Sequence, residues 1–383
     1  MNTLLIGRLN THFLEKFGDR PLLVFSPGRI NIIGEHTDYN NGFVFPAAID
    51  KGIVAASQKS EVKVSKVIAL DLNEAFEFSL QNIHPIKNGN WKNYVLGVIA
   101  EIQKTGRQLG NFNLIFGGDI PKGAGLSSSA ALENSIVFSL NILFDLDLTK
   151  NEMIHISQLA EHNYVGVKCG IMDQYASMYG QKNKGMLLDC KTLVATQIPI
   201  NFTNHELLLI NTNVKHSLAE SAYNNRREVC ENVAALLNID SLRDATEINL
   251  NSIRDQISEE DFQKPLYVIQ ENNRVQNAFQ ALKKGDIATL GNLIYESHHG
   301  LENQYMVSCD ELNFLVNQAK KHPQVIGSRM MGGGFGGCTL NIIEKTFVHT
   351  FKEKMLEEFN KNFHTTCSFY TVELSEGTHV IQQ

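Results

Sequence analysis

Glu35, His36 and Asp38 fall within four residues of one another, and Arg29 stands six residues before the first of them. Two carboxylates and an imidazole side by side supply donors and acceptors together, which suits a polyhydroxyl ligand. Core packing has no use for such a cluster, because buried charges are costly unless paired. The competing reading is a polar turn in which Asp38 and Asn40 make Asx-type bonds to nearby backbone. Pro121-Lys122-Gly123-Ala124-Gly125-Leu126-Ser127-Ser128-Ser129-Ala130 carries different chemistry. Its glycines let backbone approach a ligand closely, and its serines fall where a helix starts, so unpaired N–H groups and the helix dipole favour a phosphate. It is neither a Walker A motif, since it has no Gly-Lys-Ser/Thr, nor a Rossmann fingerprint. A plain Gly-rich turn with a serine cap is the alternative. Gly332-Gly333-Gly334-Phe335-Gly336-Gly337 formally fits G-x-G-x-x-G. A strand is expected after it where a dinucleotide site needs a helix, so dinucleotide binding is rejected. Five glycines in six residues still mark a loop whose backbone approaches something closely. Glu161, on an expected helix, and Asp173 complete the set. Phosphoryl transfer needs carboxylates for two tasks, holding Mg²⁺ and orienting or deprotonating the attacking hydroxyl. A lone carboxylate is usually solvated, but Asp173 sits among Ile171, Met172, Tyr175 and Ala176, which makes that reading less comfortable.

These residues need elements to hold them. Short apolar runs bounded by Gly, Asn or Pro predict strands at 22–25, 43–45 and 52–56, then through Val62 and Val64, at 67–70, and at the alternating Phe76 and Phe78. Trp91, Tyr94, Val95, Val98, Ile99 and Ile102 form the stripe of an amphipathic helix. A strand at 112–116 should lead into the Ser-rich segment and a helix to about residue 144. Thr149 and Glu152 have capping-box spacing and predict a helix running to about Tyr164. After about residue 195 the order starts again, with a strand at 207–210, a helix at 216–237, a helix-rich stretch to about 321, a strand at 338–343, a helix at 347–359 and a last strand. No fixed-period repeat or low-complexity linker interrupts this pattern. The expectation is an α+β protein of two packed lobes, residues 1–195 and 196–383. Length agrees, since 383 residues correspond to two or three domains of ordinary size. The net charge of −7 argues against a general polyanion binder, so no nucleic-acid partner is expected. Six scattered cysteines without zinc-like spacing, a first stretch without a basic, apolar leader, and no apolar run long enough for a bilayer predict a cytoplasmic protein with free thiols and no membrane contact.

Residues 28–40, Gly-Arg-Ile-Asn-Ile-Ile-Gly-Glu-His-Thr-Asp-Tyr-Asn, closely resemble the galactokinase signature. Residues 121–130 are similar to the nucleotide-binding motif of the wider group of galacto-, homoserine, mevalonate and phosphomevalonate (GHMP) kinases, and residues 331–337 resemble its third motif. The three occur in the family's order and the resemblance spans roughly residues 20 to 375. It implies a two-lobed GHMP-kinase fold with the active site in the cleft between lobes. It also implies transfer of the ATP γ-phosphate to the C1 hydroxyl of α-D-galactose, with Mg²⁺ as cofactor; separately, the enzyme is expected to be a monomer. By the same resemblance Asp173 is the proposed base and Arg29 the charge-stabilising residue. Glu35, His36, Thr37, Asp38, Gly170 and Tyr223 would bind sugar. Gly123, Ala124, Gly125, Leu126, Ser127, Ser128 and Ser129 would cradle the phosphates, Ser129 and Glu161 would hold Mg²⁺, and Trp91 falls near the adenine. Two rivals remain: a kinase for a related sugar such as N-acetylgalactosamine, and a non-catalytic sensor of galactose and ATP. A sensor would be expected to lose part of the phosphate loop, and Ser127-Ser128-Ser129-Ala130 is intact.

Overall fold

The structure is a computed structural model that describes residues 2–121, 123–215 and 219–382, except for the side chains of 215 and 219–221. Lys122 and residues 216–218, which the phosphate-loop and helix expectations include, lie outside the described residues. The strands are β1 (Leu22–Asn31), β2 (Phe43–Val44), β3 (Pro46–Lys59), β4 (Ser65–Ala69), β5 (Glu74–Phe78), β6 (Phe112–Gly118), β7 (Lys184–Asp189), β8 (Val194–Pro199), β9 (His205–Lys215), β10 (Val325–Met330), β11 (Gly336–Glu344), β12 (Ser368–Val372) and β13 (His379–Val380). The helices are α1 (Thr3–Phe17), α2 (Trp91–Lys104), α3 (Ser128–Leu143), α4 (Lys150–Ala160), α5 (Met172–Tyr179), α6 (Ala219–Leu236), α7 (Glu247–Asn251), α8 (Glu259–Lys284), α9 (Ile287–Asn303), α10 (Asp310–Ala319) and α11 (Val348–Phe363).

Three sheets organise these elements, in the orders β13-β1-β3-β6-β4-β5, β10-β11-β9-β12 and β2-β7-β8. Residues of α2, α3, α4 and α5 cover one face of the first sheet, and Leu5, Leu9 and Phe13 of α1 cover the other. A further core joins the first and second sheets, packing Ile30, Ile32, Phe45 and Ala47 with Leu207, Leu209, Leu340 and Ile342. The chain's last strand returns to the first sheet: Val24 pairs with Val380 and Phe25 with His379. Beside that pairing, the Ser26 hydroxyl lies 2.9 Å from that of Thr378 and 3.0 Å from that of Ser177.

Elements with strong local signals form as expected. Helix α2 begins at Trp91, and the Thr149–Glu152 capping box opens α4. Past Ala160 that helix widens into one π-turn, Glu161–Val165. Elsewhere the structure differs. Helix α1 occupies a stretch read without a helix, capped by the Asn2 side chain accepting from the Leu5 N–H at 3.2 Å and ended by Gly18 at φ 85°. Val62 and Val64 lie in a bend instead of a strand, Val62 exposed and Val64 half-buried. Strand β1 runs on through Pro27 and Gly28 to Asn31, with a register shift between Pro27 and Arg29. Asp173 lies in the first turn of α5, and β7 and β8 were not anticipated. Among the described residues no helix is long and apolar enough to cross a membrane, and all six cysteines are unpaired.

Candidate active site

Arg29 and Asp173 form the knot of the site. Strand β1 delivers the guanidinium and α5 the carboxylate, joined as a fork with Nε to Oδ1 at 2.8 Å and Nη2 to Oδ2 at 2.7 Å. Such a bidentate pair fixes orientation as well as distance. The third arm of Arg29, Nη1, donates to the Gly125 carbonyl at 2.6 Å, tying the fork to the Gly-rich loop. Gly28 permits this, since a Cβ there would meet the Leu126 carbonyl. The Ser127 hydroxyl donates to Asp173 Oδ2. Ser127 occupies the N-cap position of α3 at φ 59°, and with its hydroxyl committed to Asp173 it makes no side-chain cap to the first turn. The first-turn N–H groups therefore point out of α3 beside Ser128 and Ser129, an arrangement suited to an anion. Helix α3 is buried continuously from Ala130 to Val137, which holds this N-terminus in place. Gly123 and Gly125 take φ of 68° and 69°, and Ala124 and Leu126 are buried beneath the loop.

The charged segment after β1 lines an adjoining cavity with Arg29, Asp173, Glu161, Tyr223 and Gly333. Glu35 faces it and accepts from the Gly332 N–H at 2.8 Å and from Arg329 at 3.1 Å, so the third glycine-rich segment anchors the first motif. Arg329 is fully buried and also donates to the carbonyls of Ile32 and Met330, each at 2.8 Å, and of Asn31. His36 Nδ1 lies 2.7 Å from the Tyr39 hydroxyl, itself 2.7 Å from that of Tyr305. Burial pushes the His36 imidazole down to about 3, with Arg226 and Arg329 adding to the effect, so it is neutral near pH 7. The Tyr223 ring lies 5.3 Å from that of His36. Thr37 is placed differently: its hydroxyl lies 2.9 Å from the Gly34 carbonyl and 2.6 Å from that of Phe43, closing the loop from inside. Gly170 stands behind Asp38, where a Cβ would overlap the Asp38 carboxylate.

Burial, followed by the nearby charges of Asp173 and Glu35, raises Asp38 to about 7. A carboxyl whose folded value lies above its unfolded one stabilises fully at low pH, and that contribution is lost as pH rises toward 7. Asp38→Asn is therefore expected to melt a few degrees above wild type at about pH 8, with the gap narrowing below pH 7 and closing by about pH 4. Ligand-free melting curves across that range check this; a gap independent of pH would contradict it.

On the far side of α3's N-terminus, Glu161 accepts from Gln174 at 3.2 Å and lies near the Ser129 hydroxyl, which favours its charged form. Burial, then Asp173, raises Glu161 to about 7. Glu133, one turn into α3, is fully buried near Glu161, and its Oε1 has no hydrogen-bond partner among the described residues. Sequence reasoning missed Glu133, Gln174 and Arg329; a charged residue inside an apolar helix run is the one signal that could have marked Glu133. Among the described residues no three or more His, Cys, Asp or Glu are grouped to hold a metal unaided. A second cavity, of about 400 Å³, opens beside Ser128 and Ser129 and is lined by Trp91, Tyr94, Phe116 and Leu132.

Residues 11–59 match the family description "Galactokinase galactose-binding signature", residues 93–181 "GHMP kinases N terminal domain" and residues 278–361 "GHMP kinases C terminal". Similar proteins include the galactokinase of Clostridium beijerinckii, 39% identical with 98% of this chain and 99% of the relative covered. The galactokinase of Roseiflexus sp. is 36% identical, with 97% and 96% covered. Among solved structures, Lactococcus lactis galactokinase complexed with galactose superposes with a TM-score of 0.93 at 33% identity, covering 98% of this chain and all of that one. Methanococcus jannaschii mevalonate kinase, at 16% identity and a TM-score of 0.65 over 93% of this chain and 99% of that one, shares the fold.

Proposed function

The chain belongs to the galactokinase family of the GHMP kinases, and we propose that its site transfers the γ-phosphate of ATP to the C1 hydroxyl of galactose. The chain is an ATP-dependent sugar kinase by that membership. What carries the assignment of roles is the knot of Arg29, Asp173 and Ser127, which joins a polyhydroxyl-type cavity to the open N-terminus of α3.

The anomeric hydroxyl is the most acidic on a sugar because the ring oxygen withdraws electrons, so a carboxylate suffices to accept its proton. Glu35, His36, Asp38 and Tyr223 hold the ring with C1 toward Asp173. As the bond from O1 to the γ-phosphorus forms, the bond from that phosphorus to the bridging oxygen breaks and ADP leaves; the proton passes to Asp173. Arg29 is already locked between Asp173 and the phosphate loop, so it offsets charge on the transferring group without rearrangement. The N–H groups of α3 and the backbone of residues 123–129 hold the phosphates, while Trp91 and its apolar neighbours take the adenine. Residues 1–195 and 196–383 make up most of the two lobes, although β8 straddles that boundary and β13 joins the first sheet; the first cavity, with Asp38 from one and Gly333 from the other, is the cleft between them.

Mg²⁺ fits here. The donors are all oxygen: the Ser129 hydroxyl, the Glu161 carboxylate and the unpartnered Glu133 Oε1 nearby. Mg²⁺ prefers such hard ligands, few from protein and the rest from phosphate and water. Ser129 and Glu161 would hold the ion, which neutralises phosphate charge when bound.

An assay of ADP release over a panel of sugars tests this reading. Galactose should turn over with Mg·ATP, glucose and 4-deoxygalactose should lose about 10⁴-fold in kcat/KM, and EDTA should stop the reaction. Glucose within about tenfold of galactose would overturn the assignment.

A further inference from the structure

The sugar-binding loop 34–43 is gripped from outside by two adjacent residues of α8. Glu271 is fully buried, and its Oε1 accepts from the Gly34 N–H at 3.0 Å and from the Ser297 hydroxyl of α9 at 2.5 Å. Its Oε2 accepts from Arg274 Nε at 2.6 Å. Asn272 Oδ1 accepts from the Phe43 N–H at 2.8 Å. Consecutive side chains of one helix thus take the backbone N–H at each end of the loop that carries Glu35, His36 and Asp38. Packing is close at both ends. A Cβ on Gly34, which sits at φ 102°, would meet Val275 of α8 at 2.8 Å, and one on Gly42 would overlap Asn272 Oδ1. Between these points, the Tyr267 hydroxyl of the same helix donates to the Glu35 carbonyl at 3.0 Å.

Core packing does not call for this arrangement. A buried carboxylate is costly, and an apolar side chain of similar volume would fill the space as well. Each oxygen of Glu271 is used, and two of the N–H groups satisfied here belong to the loop rather than to the helix or its sheet. Thr37 ties the carbonyls of the same two residues, Gly34 and Phe43, from inside. The loop's ends are therefore held on both sides, and the span between them has little freedom to reposition its carboxylates.

We propose that Glu271 and Asn272 are positioning residues of the sugar site, a two-point clamp that holds the loop in its binding geometry. The proposal rests on the reading of this loop as the galactose site. They touch no reacting atom, so the clamp should act on sugar affinity far more than on the nucleotide. Galactose and ATP are varied separately for Asn272→Leu and Glu271→Met, which remove the acceptors, and for Glu271→Gln, which keeps one. The first two should raise KM for galactose about tenfold, with KM for ATP within about twofold of wild type, and Glu271→Gln should recover most of the loss. In wild type, hydrogen exchange should show the Gly34 and Phe43 amides protected without any ligand. Fast exchange at either amide overturns the clamp, whether or not the variants fold. A parallel rise in both KM values, or an unchanged galactose KM in folded variants, overturns it too. Wild type that fails to phosphorylate galactose would instead refute the sugar assignment, and the exchange measurement would still judge the clamp.

Discussion

Asp173→Asn is expected to lower kcat about a thousandfold while leaving the galactose dissociation constant within about threefold of wild type. Asparagine keeps the shape and one acceptor oxygen, so Arg29 or Ser127 retains a partner. What is lost is the negative charge proposed to take the anomeric proton, together with half of the Arg29 fork. Because Arg29 also holds the Gly125 carbonyl, some of the loss will come from a loosened phosphate loop, and that part should surface as a higher KM for ATP. Calorimetric titration with galactose, steady-state kinetics and a melting curve separate these effects. A folded variant with kcat within about tenfold of wild type would remove Asp173 from the chemistry.

Gly170→Ala and Asp38→Ala should converge on one phenotype, though they alter different elements. Gly170 does not have a left-handed φ, so alanine is permitted by its backbone. The obstacle is spatial: the added methyl occupies the place of the Asp38 carboxylate, which must swing out of the cavity. A site built to hydrogen-bond a hydroxyl pays heavily when its own polar group is misplaced, so kcat/KM for galactose should fall about 10³-fold in both variants. Glucose, already poor, should change little, and the gap between the two epimers should narrow. Nucleotide affinity should stay within about threefold, since neither residue touches the phosphate loop. If Gly170→Ala folds and retains galactose kcat/KM within about tenfold, Asp38 is not a wall of the sugar site.

What could be read from the chain alone was whatever local patterns encode. The stripe beginning at Trp91 and the Thr149–Glu152 box need no distant partner, and both helices are where those signals put them. Arg29, Ser127 and Asp173 were also singled out from their surroundings or from the family resemblance. That they meet in one fork was invisible, because the contacts join residues far apart in sequence. Arg329 shows why other parts stayed hidden. A lone arginine ahead of a glycine run reads as solvated, and its burial makes sense only when three carbonyls and Glu35 converge on it in space. Helix α1 was legible in principle, since Leu5, Leu9 and Phe13 repeat every four residues, but the strand-like runs that follow dominated the reading. Gly170 is the converse case: the resemblance named it, and the Asp38 carboxylate packed against it supplies the reason.

The pairing of β13 with β1 has a consequence for how the protein comes into being on the ribosome. Strand β1, which bears Arg29, emerges about 350 residues before the residues that cover its outer edge, since Val24 pairs with Val380 and Phe25 with His379. At ordinary translation speeds the interval is on the order of tens of seconds. Throughout it the nascent chain presents an apolar strand edge, Leu22-Leu23-Val24-Phe25, of the kind that recruits other strands. The first sheet can gather its other strands meanwhile, yet Ser26 and Ser177 must wait for Thr378 to complete their hydroxyl network. Maturation of β1 is thus tied to the arrival of residues 378–380, and the waiting period is when the young polypeptide has most need of a chaperone.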